Sequence, residues 1–280
     1  MKRIIISSFT ICFLLVSGCD NIDSFLDEKY PPESPWQTVE QFEMAVANPY
    51  STFISSWSCP WGIYSFYDIL ATDQGTLIPG QTGNFPWNEF YNRLHRTTTM
   101  ESKSAAWIKD IYYQCYKTIL ASNDPLEFLK NGEDEGVDLF PKDSQEKEDK
   151  NIPRAKAELL FWRGYAYYNL GLVFMPPYIP GGDNSERILP LKTSPTNPED
   201  TKIGTVEEVW DQVISDLEKA KSLMPKDWYI DGRIDYYTIC GALARAHFYL
   251  GNFSAAEQEC NEIIESNKYW LQSDVMAAWN

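Results

Sequence analysis

The chain has 280 residues, enough for one or two domains with a sizeable core. Its 40 acidic residues outnumber 24 basic ones, for a net charge of −16. Such a surface repels phosphate backbones and anionic lipid, which argues against nucleic-acid binding and charge-driven membrane docking.

Residues 1–19 read MKRIIISSFTICFLLVSGC. Lys2 and Arg3 open a short apolar run from Ile4 to Val16, too short to span a bilayer comfortably. Val16-Ser17-Gly18-Cys19 then matches a bacterial lipobox. The small residues give a peptidase access to the bond before Cys19, whose thiol takes the diacylglyceryl group. Residues 1–18 are thus expected to be a removed leader. Acyl chains contribute ~0.8 kcal/mol per buried CH₂, so two or more hold the mature chain on a membrane. Asp20, Asp23, Asp27 and Glu28 follow at once, and 19–35 is read as a solvated acidic tether. No later segment offers the ~18 uninterrupted apolar residues of a spanning helix.

Residues 36–280 form the expected body. Thr38-Val39-Glu40-Gln41 is a capping box ahead of the stripe Val39, Phe42, Val46, with Pro49 expected to end or kink that helix. From about 51 to 97 the periodicity fades among Gly and Pro, while aromatics accumulate. A long irregular stretch rich in aromatics points to function. Thr98 and Glu101 are expected to cap a helix with the stripe Ile108, Ile111, Tyr112, Cys115, Ile119. Residues 131–150, ending in DSQEKEDK, read as a solvated loop.

Two helical hairpins follow, at about 154–224 and 236–266. The first pairs Ala157, Leu160, Phe161, Gly164, Tyr168, Leu172 with a helix opened by the capping box Thr205-Val206-Glu207-Glu208. A proline-rich connection separates them. In the second, Gly251-Asn252 turns between a helix bearing Ile239, Leu243 and Ala246 and one capped at Ser254, with Phe253 as a staple. Ala244 and Ala256 allow close approach, as in a tetratricopeptide unit. The fold class is therefore all-α, built of tetratricopeptide-like hairpins. Such a unit buries its apolar face only against neighbours. No capping helix follows the last hairpin, so the fold is expected to be truncated at its C-terminal end.

Cys12 leaves with the leader and Cys19 takes lipid. Cys59, Cys115, Cys240 and Cys260 remain, free or bridged in one of three pairings. None forms a CxxC, so zinc is not expected, and Asp183-Asn184 is too little for calcium. No cofactor is implied. Ten Trp and seventeen Tyr suggest a gripping surface. Trp57, Trp61, Trp87 and Tyr91 form the candidate ligand platform, with Asp73, Asn84 and Asn88 as polar partners. The competing reading packs these tryptophans onto the helices. No GxSxG, HExxH or phosphate-cradling loop is present, and catalytic residues are not assigned.

Several of these pieces together resemble the SusD/RagB family of outer-membrane nutrient-binding lipoproteins. Cys19, Asp20, Asp23 and Leu26-Asp27-Glu28-Lys29-Tyr30-Pro31 are similar to its opening pattern. AKAELLFWRGYAYYNLGLVF (155–174), TVEEVWDQVISDLEKAKSL (205–223) and GALARAHFYLGNFSAAEQECNEIIESNKYWL (241–271) resemble its successive helices. The series runs through essentially the whole mature chain. Met175-Pro176-Pro177 departs from the family's usual Gly-Asp-Val-Pro turn, Lys202 stands where Arg is common, and family members are considerably longer. The resemblance implies a lid on a SusC-like, TonB-dependent barrel that captures oligosaccharides or peptides without cutting them. It also implies a lipid-anchored place on the outer membrane, facing the exterior. The alternatives from the residues are an adaptor lipoprotein binding a protein through its helical repeats, or a glycoside hydrolase.

Overall fold

A computed structural model describes residues 36–55, 103–195, 201–270 and 274. Among the described residues the chain is a stack of helices with one small ribbon. The elements are α1 (Val39–Ile54), α2 (Lys103–Glu135), α3 (Gln145–Phe174), β1 (Arg187–Leu191), β2 (Lys202–Thr205), α4 (Val206–Leu223), α5 (Tyr236–Tyr249) and α6 (Phe253–Glu265). Each helix packs on the next one in the chain, and the broadest interface joins α3 to α4. The tetratricopeptide-like hairpins are therefore α3–α4 and α5–α6, preceded by the pair α1–α2.

Local chemistry sets the helix ends. At α1, Thr38 Oγ1 accepts from Gln41 N at 3.2 Å, but Gln41 reaches back to Gln37 N and not to the cap itself. Only half of the expected capping box forms. Pro49 does not end α1, which continues to Ile54; Pro49 is buried, and Thr52 Oγ1 donates to its carbonyl at 3.0 Å. Thr98 and Glu101 lie outside the described residues.

The expected loop at 131–150 is confined to residues 136–144, with helix on either side. α2 runs to Glu135 and α3 starts at Gln145, capped by Ser144. Glu146 and Glu148 occupy the first turn of α3, where carboxylates meet the positive end of the helix dipole. The charged run DSQEKEDK thus begins a helix, because its acids stand at the right end. α4 shows the full capping box, with Glu208 N to Thr205 Oγ1 at 3.1 Å and Thr205 N to Glu208 Oε2 at 3.0 Å. α6 starts two residues earlier than expected, after Asn252, so Phe253 is its first residue and not a staple outside it.

Small residues set the spacing. A Cβ on Gly171 would stand 2.9 Å from Trp210 Cζ2, and one on Gly164 would stand 3.0 Å from Asp216 Cβ. These two glycines bring α3 against α4. Gly251 turns the second hairpin with φ +79°, where other residues are strained.

The core is continuous across α1 to α5, centred on Phe42, Tyr167, Trp210 and Leu217. Cys115 and Cys240 are buried thiols outside any disulfide, and Cys260 is an exposed one. In the proline-rich connection, β1 and β2 pair antiparallel, Pro190 opposite Ile203 and Leu191 opposite Lys202, with a bulge between Arg187 and Leu189.

Candidate functional site

The predicted platform of Trp57, Trp61, Trp87 and Tyr91, with Asp73, Asn84 and Asn88, lies outside the described residues, as do Cys19 and Cys59. The frame on either side of that segment is described. α1 releases the chain beside an aromatic cluster: Tyr50 and Phe53 meet Trp162 at 4.8 and 5.2 Å between ring centroids. Along α3, Phe161, Tyr165 and Tyr168 stack nearly parallel at 5.5 and 6.0 Å. Near the start of α2, Tyr112 packs edge-on against Phe174 at 5.3 Å. The rings are held by helical spacing on α3, which puts residues three and four apart on one face.

Two buried charge clusters brace this frame. Glu158 is fully buried on α3 and receives Arg154, Arg233 and the Tyr50 hydroxyl. Arg154 and Arg233 also reach Glu43 on α1, and Tyr50 Oη accepts from Ile234 N at 3.1 Å. Burial, then the nearby Glu158 carboxylate, pushes the Tyr50 phenol well above its ordinary range. The second cluster centres on Arg163, bidentate to Asp216 at 2.8 and 2.6 Å. Its remaining amine donates to Asn123 Oδ1 at 3.1 Å and to the Thr193 carbonyl at 2.9 Å. Burial works against that guanidinium's charge, yet the Asp216 hydrogen bonds keep its pKa above the ordinary value. Tyr116 donates to the Pro190 carbonyl at 2.8 Å and Tyr167 to the Lys192 carbonyl at 3.0 Å. These donors hang the β1 strand on α2 and α3.

Among the described residues, one open cavity of about 640 Å³ lies between α4, α5 and α6. Gln258, Asn261, Glu262 and Glu265 line it, with Tyr237 as an aromatic wall. Lys221 bridges to Glu259 at 2.7 Å and Lys226 to Glu262 at 3.0 Å. Amides and carboxylates beside a ring suit a hydroxylated ligand more than an apolar one. Sequence reasoning missed this cavity, although the recurrence of polar residues at 258, 261, 262 and 265 marks that face of α6. Behind it, Cys240 has its thiol pushed up to about 12, chiefly by burial, so it is not a nucleophile at neutral pH.

A second open cavity, of about 510 Å³, lies between the end of α2 and the start of α3. Its floor includes Leu129, Leu139 and Ile152, and its rim Glu133, Asp138, Glu148 and Asp149. Asp183 and Asn184 spend their polar atoms on turns: Asp183 Oδ1 accepts from Ser185 N, and the Asn184 amide bonds Ile179 in both directions. Among the described residues, no group of three or more His, Cys, Asp or Glu is placed to hold a metal ion. No helix among them is long and apolar enough to cross a membrane.

The stacked hairpins and the ribbon hung between them define a class. A SusD-like family model, described as starch-binding and associating with the outer membrane, matches residues 25–250. The chain belongs to the SusD-like family. Solved structures share the fold. A SusD-like carbohydrate binding protein from Bacteroides vulgatus matches with a TM-score of 0.65 and 18% identity, over 85% of this chain and 47% of that one. A SusD superfamily protein from Bacteroides thetaiotaomicron matches at 0.62 and 22% identity, over 84% of this chain and 48% of that one. A sugar binding protein described as putative, from Bacteroides vulgatus, matches at 0.61 and 21%, over 83% and 47%. This chain spans about half the length of those structures. No curated protein matches the chain.

Proposed function

We propose that this protein is a lipid-anchored, outer-membrane protein that captures oligosaccharides and hands them to a SusC-like, TonB-dependent barrel. The observation that carries the reading is the family match over residues 25–250. It joins a fold shared with a carbohydrate binding relative and a lipobox cysteine at position 19. In this reading 1–18 is the leader, 19–35 the tether and 36–280 the body, facing the exterior. Peptides are the second ligand class, since the predicted platform holds rings and amides that suit either.

Ligand capture rests on Trp57, Trp61, Trp87 and Tyr91, with Asp73, Asn84 and Asn88 bonding hydroxyls. Each ring contributes ~0.5–1.5 kcal/mol, by analogy with aromatic pairs. A few such contacts give the modest affinity that a hand-over protein needs. The ligand is held and released uncut.

The test is affinity electrophoresis of the Cys19→Ala protein through gels cast with soluble polysaccharides. Retardation by at least one glycan, reduced in Trp87→Ala, is the expected result. No retardation in any glycan, or release of reducing sugar by the purified protein, overturns the reading. Mass spectrometry of the protein from its own membrane should show an acylated Cys19 as the first residue. A SusC-like barrel should co-purify from mild detergent.

A further inference from the structure

The segment from Arg187 to Ser194 is held mostly by its main chain. Of these residues only Leu189 is buried. Beyond the pairing with β2 and the half-buried Ile188 and Leu191, its attachment to the helices runs largely through carbonyls. Tyr116 Oη donates to the Pro190 carbonyl at 2.8 Å, and Tyr167 Oη to that of Lys192 at 3.0 Å. Asn123 Nδ2 donates to the Lys192 carbonyl at 3.2 Å and to the Ser194 carbonyl at 3.4 Å. Arg163 Nη1 takes the Thr193 carbonyl between them, at 2.9 Å. The successive carbonyls of 192–194 are thus all captured by side chains of α2 and α3.

Such donors are costly to bury, and Asn123, Arg163, Tyr167 and Asp216 are all buried. A buried ion pair can often be replaced by apolar side chains of like volume without loss of stability. α3 and α4 already close on each other at Gly164 and Gly171, against Trp210 and Leu217. Cohesion of the two helices therefore does not account for the guanidinium, whereas its geometry does. One edge meets both Asp216 oxygens, at 2.8 and 2.6 Å. The remaining nitrogen meets Asn123 Oδ1 at 3.1 Å and the Thr193 carbonyl. A planar fork of five donors can serve α2, α4 and the segment at once, which an ammonium cannot. Asp216 fixes the plane of that fork, and Asn123 carries its hold to the two flanking carbonyls.

We infer that Arg163 is a positioning residue, which with Asp216 and Asn123 fixes the course of residues 190–194 along the stack. A carbonyl is present at every residue, so these contacts set where the segment runs without dictating its side chains, and Thr193 is left exposed. The place of the segment is thereby tied to the packing of α2, α3 and α4 at a single guanidinium. This inference is independent of glycan capture.

The experiment follows amide exchange of the full chain in detergent by mass spectrometry, with trypsin cutting after Lys192 as a second reading. In the protein carrying both Arg163→Met and Asp216→Leu, exchange in 187–194 and cutting after Lys192 should quicken about tenfold or more, the size of a lost hydrogen bond to a charged group. Exchange in α3 and α4 should stay as in the unaltered protein. Asn123→Ala keeps the ion pair and removes the link to Lys192 and Ser194, and it should quicken the same segment. Arg163→Lys keeps a charge beside Asp216 but lacks the fork, and it should release the segment too. Unchanged exchange and cutting at 187–194 in the double variant, or in Asn123→Ala, overturns the inference. So does a quickening shared equally by α3 and α4, which marks a general loosening of the stack.

Discussion

The two hairpins share one pattern and meet different fates. α4 turns Val209, Trp210, Val213 and Leu217 inward, and all are buried. α6 has an equally clear division into apolar and polar faces, yet Ala256 is its one buried residue. The difference lies in the neighbours. α4 sits between α3 and α5 and is locked to α3 by the buried Arg163–Asp216 pair. α6 touches α5 and is held to α4 by the peripheral Lys221–Glu259 and Lys226–Glu262 bridges. Amphipathic sequence states which face is available for burial, and only the stack decides whether that face is used.

The largest effect should come from breaking the lock in the first hairpin. Asp216→Ala leaves the Arg163 guanidinium buried beside Asn123 and a carbonyl, without its counter-charge. Loss of one partner of a buried pair costs about 3–5 kcal/mol. A urea melt of Asp216→Ala should show it, and Arg163→Met with Asp216→Leu should recover much of the loss. Deleting Glu262 or Lys226 at the second hairpin should cost less than about 1 kcal/mol, because that bridge is open to solvent. Equal losses at both places would erase the contrast.

Next in size is overpacking. Gly171→Val puts a Cβ 2.9 Å from the Trp210 ring, inside van der Waals contact. Either α4 moves or the indole leaves its rotamer, at about 1–3 kcal/mol. Gly241, the matching small residue in α5, has only Ile263 within reach, at 3.9 Å. Gly241→Ala should therefore be tolerated. The same melt compares the two.

Much of this contrast was legible in the residues. Thr205 and Glu208 announced the start of α4, and Gly164 the closeness of α3 and α4. The stripe Ile111, Cys115, Ile119 is buried as its spacing requires. α3 was read only in part. Its stripe suggested one buried face, but Trp162, Arg163, Ala166, Tyr167 and Leu170 are buried too, since α1, α2 and α4 all press on it. A helix enclosed on several sides has no period to show. Glu158 was illegible for a related reason. Its partners Arg233, Glu43 and Tyr50 are distant in the chain, and no local pattern pairs them. The β ribbon was hidden by its proline, whose carbonyl serves Tyr116 while its missing N–H would argue against a strand. The predicted ligand platform rested on composition and irregularity, which name residue types but not their arrangement.

A smaller effect belongs to the start of α5. Asp235 caps that helix, accepting from Thr238 N at 2.8 Å and from the Tyr269 hydroxyl at 2.6 Å. Burial alone would raise its pKa, but the Tyr269 and Thr238 hydrogen bonds outweigh it and hold it below the usual carboxylate range. A lowered folded-state pKa means the stabilisation is present above the unfolded value and is lost as pH falls through the folded one. The second hairpin should therefore loosen in acid, seen as faster amide exchange in α5 and α6. Asp235→Asn should flatten that dependence.

The smallest effect should come from Phe253→Ser. Nearly two-thirds of this side chain faces solvent, and its ring meets only Phe248 among the ring contacts of the described residues. An exposed substitution away from a cap or a buried pair changes stability by about ±0.5 kcal/mol. Phe53, by contrast, is buried against Trp162 and Tyr165, and Phe53→Ser should cost several times as much. If Phe253→Ser proves as damaging as Phe53→Ser in the free chain, the outer face of α6 is already covered and the asymmetry between the hairpins disappears. If it leaves the melt unmoved while Phe53→Ser does not, the two phenylalanines are separated by their neighbours and not by their residue type.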